Sequence, residues 1–141
     1  MSDTLQDTNK ISRYKKREQA FLLCFECIFS DTDIDELVDN AGDARDEIIS
    51  DYAIDCAKGV RAHGEQIDGM ISAHLKSGWK ISRISKVSLA ILRLAVYEML
   101  YIDDVPVSVS INEAVELSKK YTVQDDSAFI NGVLGAIAKE L

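Results

Sequence analysis

The chain is poor in the residues that punctuate and staple small folds. One proline and seven glycines in 141 residues leave no recurring turn signal of the kind that marks an all-β protein. Three cysteines, Cys24, Cys27 and Cys56, cannot all pair. Cys24 and Cys27 form a C-x-x-C, but no second such pair exists. Both sit near the apolar face of an expected helix, where a free thiol packs as a small hydrophobe. The two histidines, His63 and His74, have no further ligands at metal spacing, and neither a metal nor a cofactor is expected. No G-x-S-x-G, P-loop, dinucleotide fingerprint or H-E-x-x-H occurs, so the sequence offers no catalytic residues and the expectation is a non-enzyme. The N-terminus, MSDTLQDTNK, has no apolar signal core. The expectation is a cytoplasmic protein without membrane contact.

What is present is apolar and helical. Nearly half of the residues are hydrophobic, enough for one domain with a core. The stretch Lys86–Ile102 (KVSLAILRLAVYEMLYI) places apolar side chains in every direction of a helical wheel, with Arg93 and Glu98 as its charged residues after Lys86. A helix apolar all round is buried on all sides. At about 25 Å it is short for a membrane span, so it reads as the central helix of an all-α protein. Residues 1–11 are expected to be loose and residues 12–141 to form the single domain.

Around that centre the chain divides as follows. Ser12–Phe29 is an expected helix, with Tyr14, Phe21, Cys24, Phe25 and Ile28 on one face. A short helix is expected within Ser30–Asn40, broken at Ala41–Gly42. Asp43 would cap a helix from Ala44 towards Lys76, either kinked or divided into two near His63–Gly64. Trp79 follows as a lid over one end of the core. Ser85 is the expected cap of the central helix, with Ser82 able to open an extra short turn. Asp103-Asp104-Val105-Pro106 stops the central helix. Ser108–Tyr121 and Ser127–Leu141 are the last two helices, the final one capped by Asp126 or Ser127. Glu116 and Lys120 stand at i, i+4 as a favourable pair. Gly132 and Gly135 suggest close approach by a helix or a ligand.

Charge is unevenly distributed. The net charge is −8, and twelve acids against three bases fall between Asp31 and Asp68, so the remainder is close to neutral. Such a chain should not coat nucleic acid indiscriminately. Any RNA site must be local and lie outside Asp31–Asp68. Arg13, Lys16 and Arg17 share one side of the first helix beside its aromatic stripe, which suits an RNA backbone. Solvated bases without a partner are the competing reading.

From Trp79 onward a family resemblance emerges. Ile91-Leu92-Arg93 with Tyr97-Glu98, Val105-Pro106, Ile111-Asn112-Glu113-Ala114 and Phe129-Ile130-Asn131-Gly132-Val133-Leu134 occur in one order and spacing. Together with Arg17-Glu18 and Ala20 they resemble the NusB family of transcription antitermination proteins. The resemblance implies two small helical bundles packed across each other. It also implies binding to single-stranded boxA-type RNA together with the small-subunit ribosomal protein that doubles as NusE, in support of ribosomal RNA operon transcription. Other Nus factors and RNA polymerase would be engaged indirectly. By position, the RNA-binding residues it implies are Arg13, Lys16, Arg17, Phe25, Asp125 and Phe129, with Lys119 and Lys120 as nearby phosphate contacts. Asn112, Glu113 and Asn131 read as structural. Two departures stand out: Tyr14 interrupts a thin basic opening, and Ser88 replaces a frequent acid close to the partner-facing surface. The alternative reading is a protein-binding scaffold or homodimer of the same fold with little RNA binding.

Overall fold

The computed structural model describes residues 11–45 and 47–141, and these residues are helical throughout their regular elements. In chain order they are α1 (Arg13–Ile28), α2 (Ile34–Arg45), α3 (Asp51–Ala62), α4 (Gly64–Ala73), a 3₁₀ turn (Ile81–Arg83), α5 (Lys86–Tyr101), α6 (Val107–Tyr121) and α7 (Gln124–Ala138). Apart from Ile11, the expected loose N-terminus lies outside the described residues.

The all-round apolar helix is central, as its pattern predicts. α5 packs against α1, α3, α4, α6 and α7. Leu89 through Leu92 and Leu94 through Val96 are all buried. Its two interior charges are both matched. Arg93 makes a two-pronged contact with Asp68 of α4, at 2.8 Å for each nitrogen. Glu98, 1 % exposed, accepts from Arg17 Nε of α1 at 2.9 Å and from the Tyr52 hydroxyl of α3. Phe21, Leu23, Ile67, Leu117, Ile130 and Leu134 close the core around α5.

Serine hydroxyls start three of the helices. Ser12, Ser50 and Ser85 accept from the backbone N–H three residues on in α1, α3 and α5, each satisfying an orphan donor. Ser82 lies inside the 3₁₀ turn. The region Asp31–Lys76 departs from expectation. α2 runs through Ala41–Gly42 to Arg45, because burial of Ile34 and Ala41 outweighs one interior glycine at about 1 kcal/mol. Ser50, not Asp43, caps the next helix. Of the two alternatives open there, the divided one holds: α3 and α4 meet at His63.

Two further corrections concern α7. α7 begins at Gln124, before either expected cap, and Asp125 and Asp126 fall in its first turn, where carboxylates complement the helix dipole. Ser127 is buried, and its hydroxyl meets that of Ser118 at 2.7 Å, tying α7 to α6. A Cβ at Gly132 or Gly135 would meet nothing within 4 Å, so no neighbour demands glycine there. Among the described glycines, Gly59 is the one closely approached: a Cβ there would collide with the Tyr97 ring unless that ring moved.

Candidate nucleic-acid interface

The first turns of α1 carry the expected cations, but in two environments. Arg13 is exposed, Lys16 is half-buried, and among the described residues neither has an ion-pair partner. Arg17, expected beside them on the surface, is instead buried at 3 % exposure. The physical reason is Glu98: a buried carboxylate requires a cation, and Arg17 supplies it. All three cations edge a groove of about 470 Å³ whose other wall includes Tyr52, Tyr97 and Asp104.

The lysines of α6 are engaged at home. Lys119 pairs with Glu116 at 3.1 Å. Lys120 therefore does not form the expected pair with Glu116; it crosses to Glu18 of α1 at 2.5 Å. Tyr121 donates to the same Glu18 oxygen at 2.7 Å, and Lys15 reaches the other at 3.3 Å. Burial alone would raise the Glu18 carboxyl, but these three donors outweigh it and hold the carboxyl below its ordinary range. Burial, and then the bond to Glu18, pushes the Tyr121 phenol up to about 12. Phe25 is half-buried in a row of rings along α1, 6.4 Å from Phe21 and 5.0 Å from Phe29 between centroids.

Asp125 and Phe129 lie elsewhere. Asp125 is exposed at the start of α7. Phe129 is half-buried and packs 5.8 Å from the ring of Trp79. Trp79 is 48 % exposed: it leans against Phe129 at the rim and does not roof the core as a lid would. A shallow recess joins Trp79, Asp125 and Phe129 to Ser85 and Ser88 at the start of α5. The Arg13 groove is lined by Tyr97 and Ile102 at the other end of that helix. From Ser88 to Ile102 is roughly 20 Å at 1.5 Å per residue. Arg13, Lys16 and Arg17 thus lie at one end of α5 and Asp125 and Phe129 at the other, while Phe25, Lys119 and Lys120 line neither the groove nor the recess.

Ser88 was expected near the partner-facing surface. It is 1 % exposed on the inner side of the first turn of α5, and among the described residues its hydroxyl has no hydrogen-bond partner. The thiols of Cys24 and Cys56 are also buried, and burial raises both out of the reactive range, Cys56 to about 12. The composition missed Tyr52 and Glu98, which position Arg17. The available signal was a lone acid on an otherwise apolar helix turn, since such a group needs a buried partner.

The model of the NusB family matches residues 14–139. The chain belongs to the NusB family. Among its relatives, a transcription antitermination protein NusB from Acetivibrio thermocellus is 45 % identical, covering 92 % of this chain and 90 % of the relative. Another from Clostridium botulinum is 40 % identical, covering 89 % and 98 %. The fold is similar to that of T. maritima NusB, at a TM-score of 0.80 and 32 % identity over 93 % of each chain. It is equally similar, with a TM-score of 0.80 and 29 % identity, to a chain from a crystal structure of antitermination factors NusB and NusE in complex with double-stranded RNA, covering 93 % of this chain and all of that one. Among the described residues of this NusB-family chain, no helix is long and apolar enough to cross a membrane.

Proposed function

We propose that this chain is a transcription antitermination factor that binds boxA-type single-stranded RNA together with the ribosomal protein NusE, in support of ribosomal RNA transcription. It acts by binding and not by catalysis, in the cytoplasm, with residues 12–141 as one domain. Membership of the NusB family supports the reading, as does the NusB–NusE complex with RNA among its structural relatives. One observation of the molecule itself carries it. Lys15, Arg17, Lys119 and Lys120 all hold carboxylates, whereas Arg13 and Lys16 have no ion-pair partner among the described residues, at the edge of a groove whose lining also includes Asp55 and Asp104. In a chain of net charge −8, unpaired neighbouring cations are suited to phosphate.

Roles follow from that geometry. Arg13 and Lys16 contact phosphates. Phe129 offers a ring face to a base, and Asp125 accepts from base or sugar donors beside it. Phe25 extends the aromatic row. Lys119 and Lys120 add field, through ammonium groups already shared with Glu116 and Glu18. Arg17 is a positioning residue that fixes the opening of α1 through Glu98. Ser88 shapes the recess beneath Asp125 and Phe129, so it influences a partner through shape and not by direct contact.

Fluorescence anisotropy with labelled boxA-type RNA tests the proposal, with and without NusE, across a salt series. Sequence-dependent binding that tightens with NusE is expected. Arg13→Ala with Lys16→Ala should flatten the slope of log affinity against log salt by about 1.4, at about 0.7 per single-strand phosphate contact. Phe129→Ala should cost about 1–3 kcal/mol of binding. An unchanged slope in a folded double variant would remove Arg13 and Lys16 from the site. Absence of boxA preference with and without NusE would overturn the function.

A further inference from the structure

We infer that the segment from Lys76 to Lys86, with Trp79 as its stacking residue, is a second single-stranded RNA surface that continues outward from Phe129. The inference rests on the reading of this chain as an RNA-binding protein.

Charge is the first support. Lys76, Lys80, Arg83 and Lys86 fall within eleven residues that contain no acid, in a chain with 24 acids and 16 bases. All four are exposed. Among the described residues none of their side chains has an ion-pair or hydrogen-bond partner, although Asp125 and Asp126 lie in the adjoining recess. Lys15, Lys119 and Lys120, by contrast, are each paired with a nearby glutamate.

The placement of Trp79 is the second support. Its backbone N–H closes a turn onto the Lys76 carbonyl at 2.9 Å. Gly78 holds φ +86° within that turn, a conformation that glycine adopts without steric cost. This built turn presents an indole that is 48 % exposed, tilted 32° from the Phe129 ring at 5.8 Å. An apolar groove of about 470 Å³ between α4 and α7, lined by Leu75, Trp79, Phe129 and Gly132, runs beside the pair. Open space above Gly132 leaves that wall low. Exposed rings interleaved with unpaired cations suit unstacked bases and their phosphates. A basic protein would be repelled by the same charges. An acidic peptide would satisfy the cations but has no need of two exposed rings.

Trp79 is the single tryptophan of the chain, so its emission reports on this surface without mutation. The experiment titrates the whole protein with four labelled RNAs: a boxA-type core, the core extended by six uridines at its 5′ end, the core extended by six uridines at its 3′ end, and twelve uridines alone. Anisotropy reads total binding and indole emission reads the surface. The expected result is that one extended RNA binds on the order of tenfold more tightly than the core and quenches emission over the same concentration range. In the Lys80→Ala, Arg83→Ala double variant, that gain should disappear and the salt slope for the extended RNA should fall by about 1.4. Core-only binding should change less than twofold. Binding of every RNA with unchanged emission would overturn this inference while leaving the boxA reading intact. Quenching by uridines with no preference for boxA would keep the surface and overturn the boxA reading. Silence in both channels would overturn both. Equal quenching by poly-glutamate would overturn the assignment to nucleic acid and redirect the surface to an acidic protein.

Discussion

Glu98 has its carboxylate in the core, 1 % exposed, between Arg17 and Tyr52. Removing one partner of such a pair strands the other charge without water, which costs about 3–5 kcal/mol. Glu98→Ala should therefore lower stability by that amount in urea titration. Glu98→Gln, which keeps an acceptor for both donors, should cost less. The double variant Arg17→Met, Glu98→Leu should be more stable than Glu98→Ala alone, because no buried charge is then left unmatched. If the double variant is as unstable as the single one, the loss comes from packing. These residues also show why sequence grouped Arg17 with the surface cations. Arg13, Lys16 and Arg17 share a side of α1, and only a glutamate 81 positions away distinguishes the third from the other two. Helical spacing contains no such information.

At the scale of elements, Glu18 ties α1 to the end of α6 through Lys120 and Tyr121. Its carboxyl is held below the ordinary range, with the three donors overcoming burial. A depressed carboxyl contributes stability that is present above its unfolded pKa and lost as pH falls through the folded value. Tyr121 works in the opposite sense. Its phenol is raised from 10.0 to about 12, so its contribution is full below about 10 and is lost as pH rises to about 12. Glu18→Gln should accordingly flatten the acid limb of the stability profile and bring the alkaline loss to lower pH, as read from urea midpoints between pH 3 and 12. An unchanged acid limb would mean that other carboxylates govern it.

The elements themselves were unequally legible. α1, α5 and α7 show strong local periodicity, and their cores follow from it. The α2–α3 region does not, because an acidic, weakly apolar stretch gives little contrast between faces. There the helix end and the Ser50 cap were set by packing of Ile34, Ala41 and Ala53. The Glu18–Lys120 tie joins residues 102 positions apart, and nothing local predicts it over the nearer Glu116. The Trp79 turn was visible as Ser77–Gly78, but the direction of the indole was not.

For the whole molecule, selectivity is a matter of field as well as contact. The Asp31–Asp68 stretch carries about all of the net negative charge, while unpaired cations among the described residues include Arg13, Lys16 and the four along Lys76–Lys86. RNA approaching the acidic face is repelled, so binding is confined to places where cations and rings coincide. Asp39, midway along α2, and Asp43, in its last turn, are both exposed, and at Asp43 a cation would complement the helix dipole. Changing both to lysine moves the net charge from −8 to −4 without burdening the fold. At about 50 mM salt this variant should bind an unrelated RNA several-fold more tightly, with a smaller gain for boxA-type RNA, so discrimination falls. Above about 0.3 M salt the two proteins should converge, because a Debye length shorter than 10 Å separates the α2 face from distant phosphates. Anisotropy at both salts checks this. Equal binding of unrelated RNA by both proteins at low salt would mean that the acids are solvated surface alone and that discrimination resides wholly in the contacts.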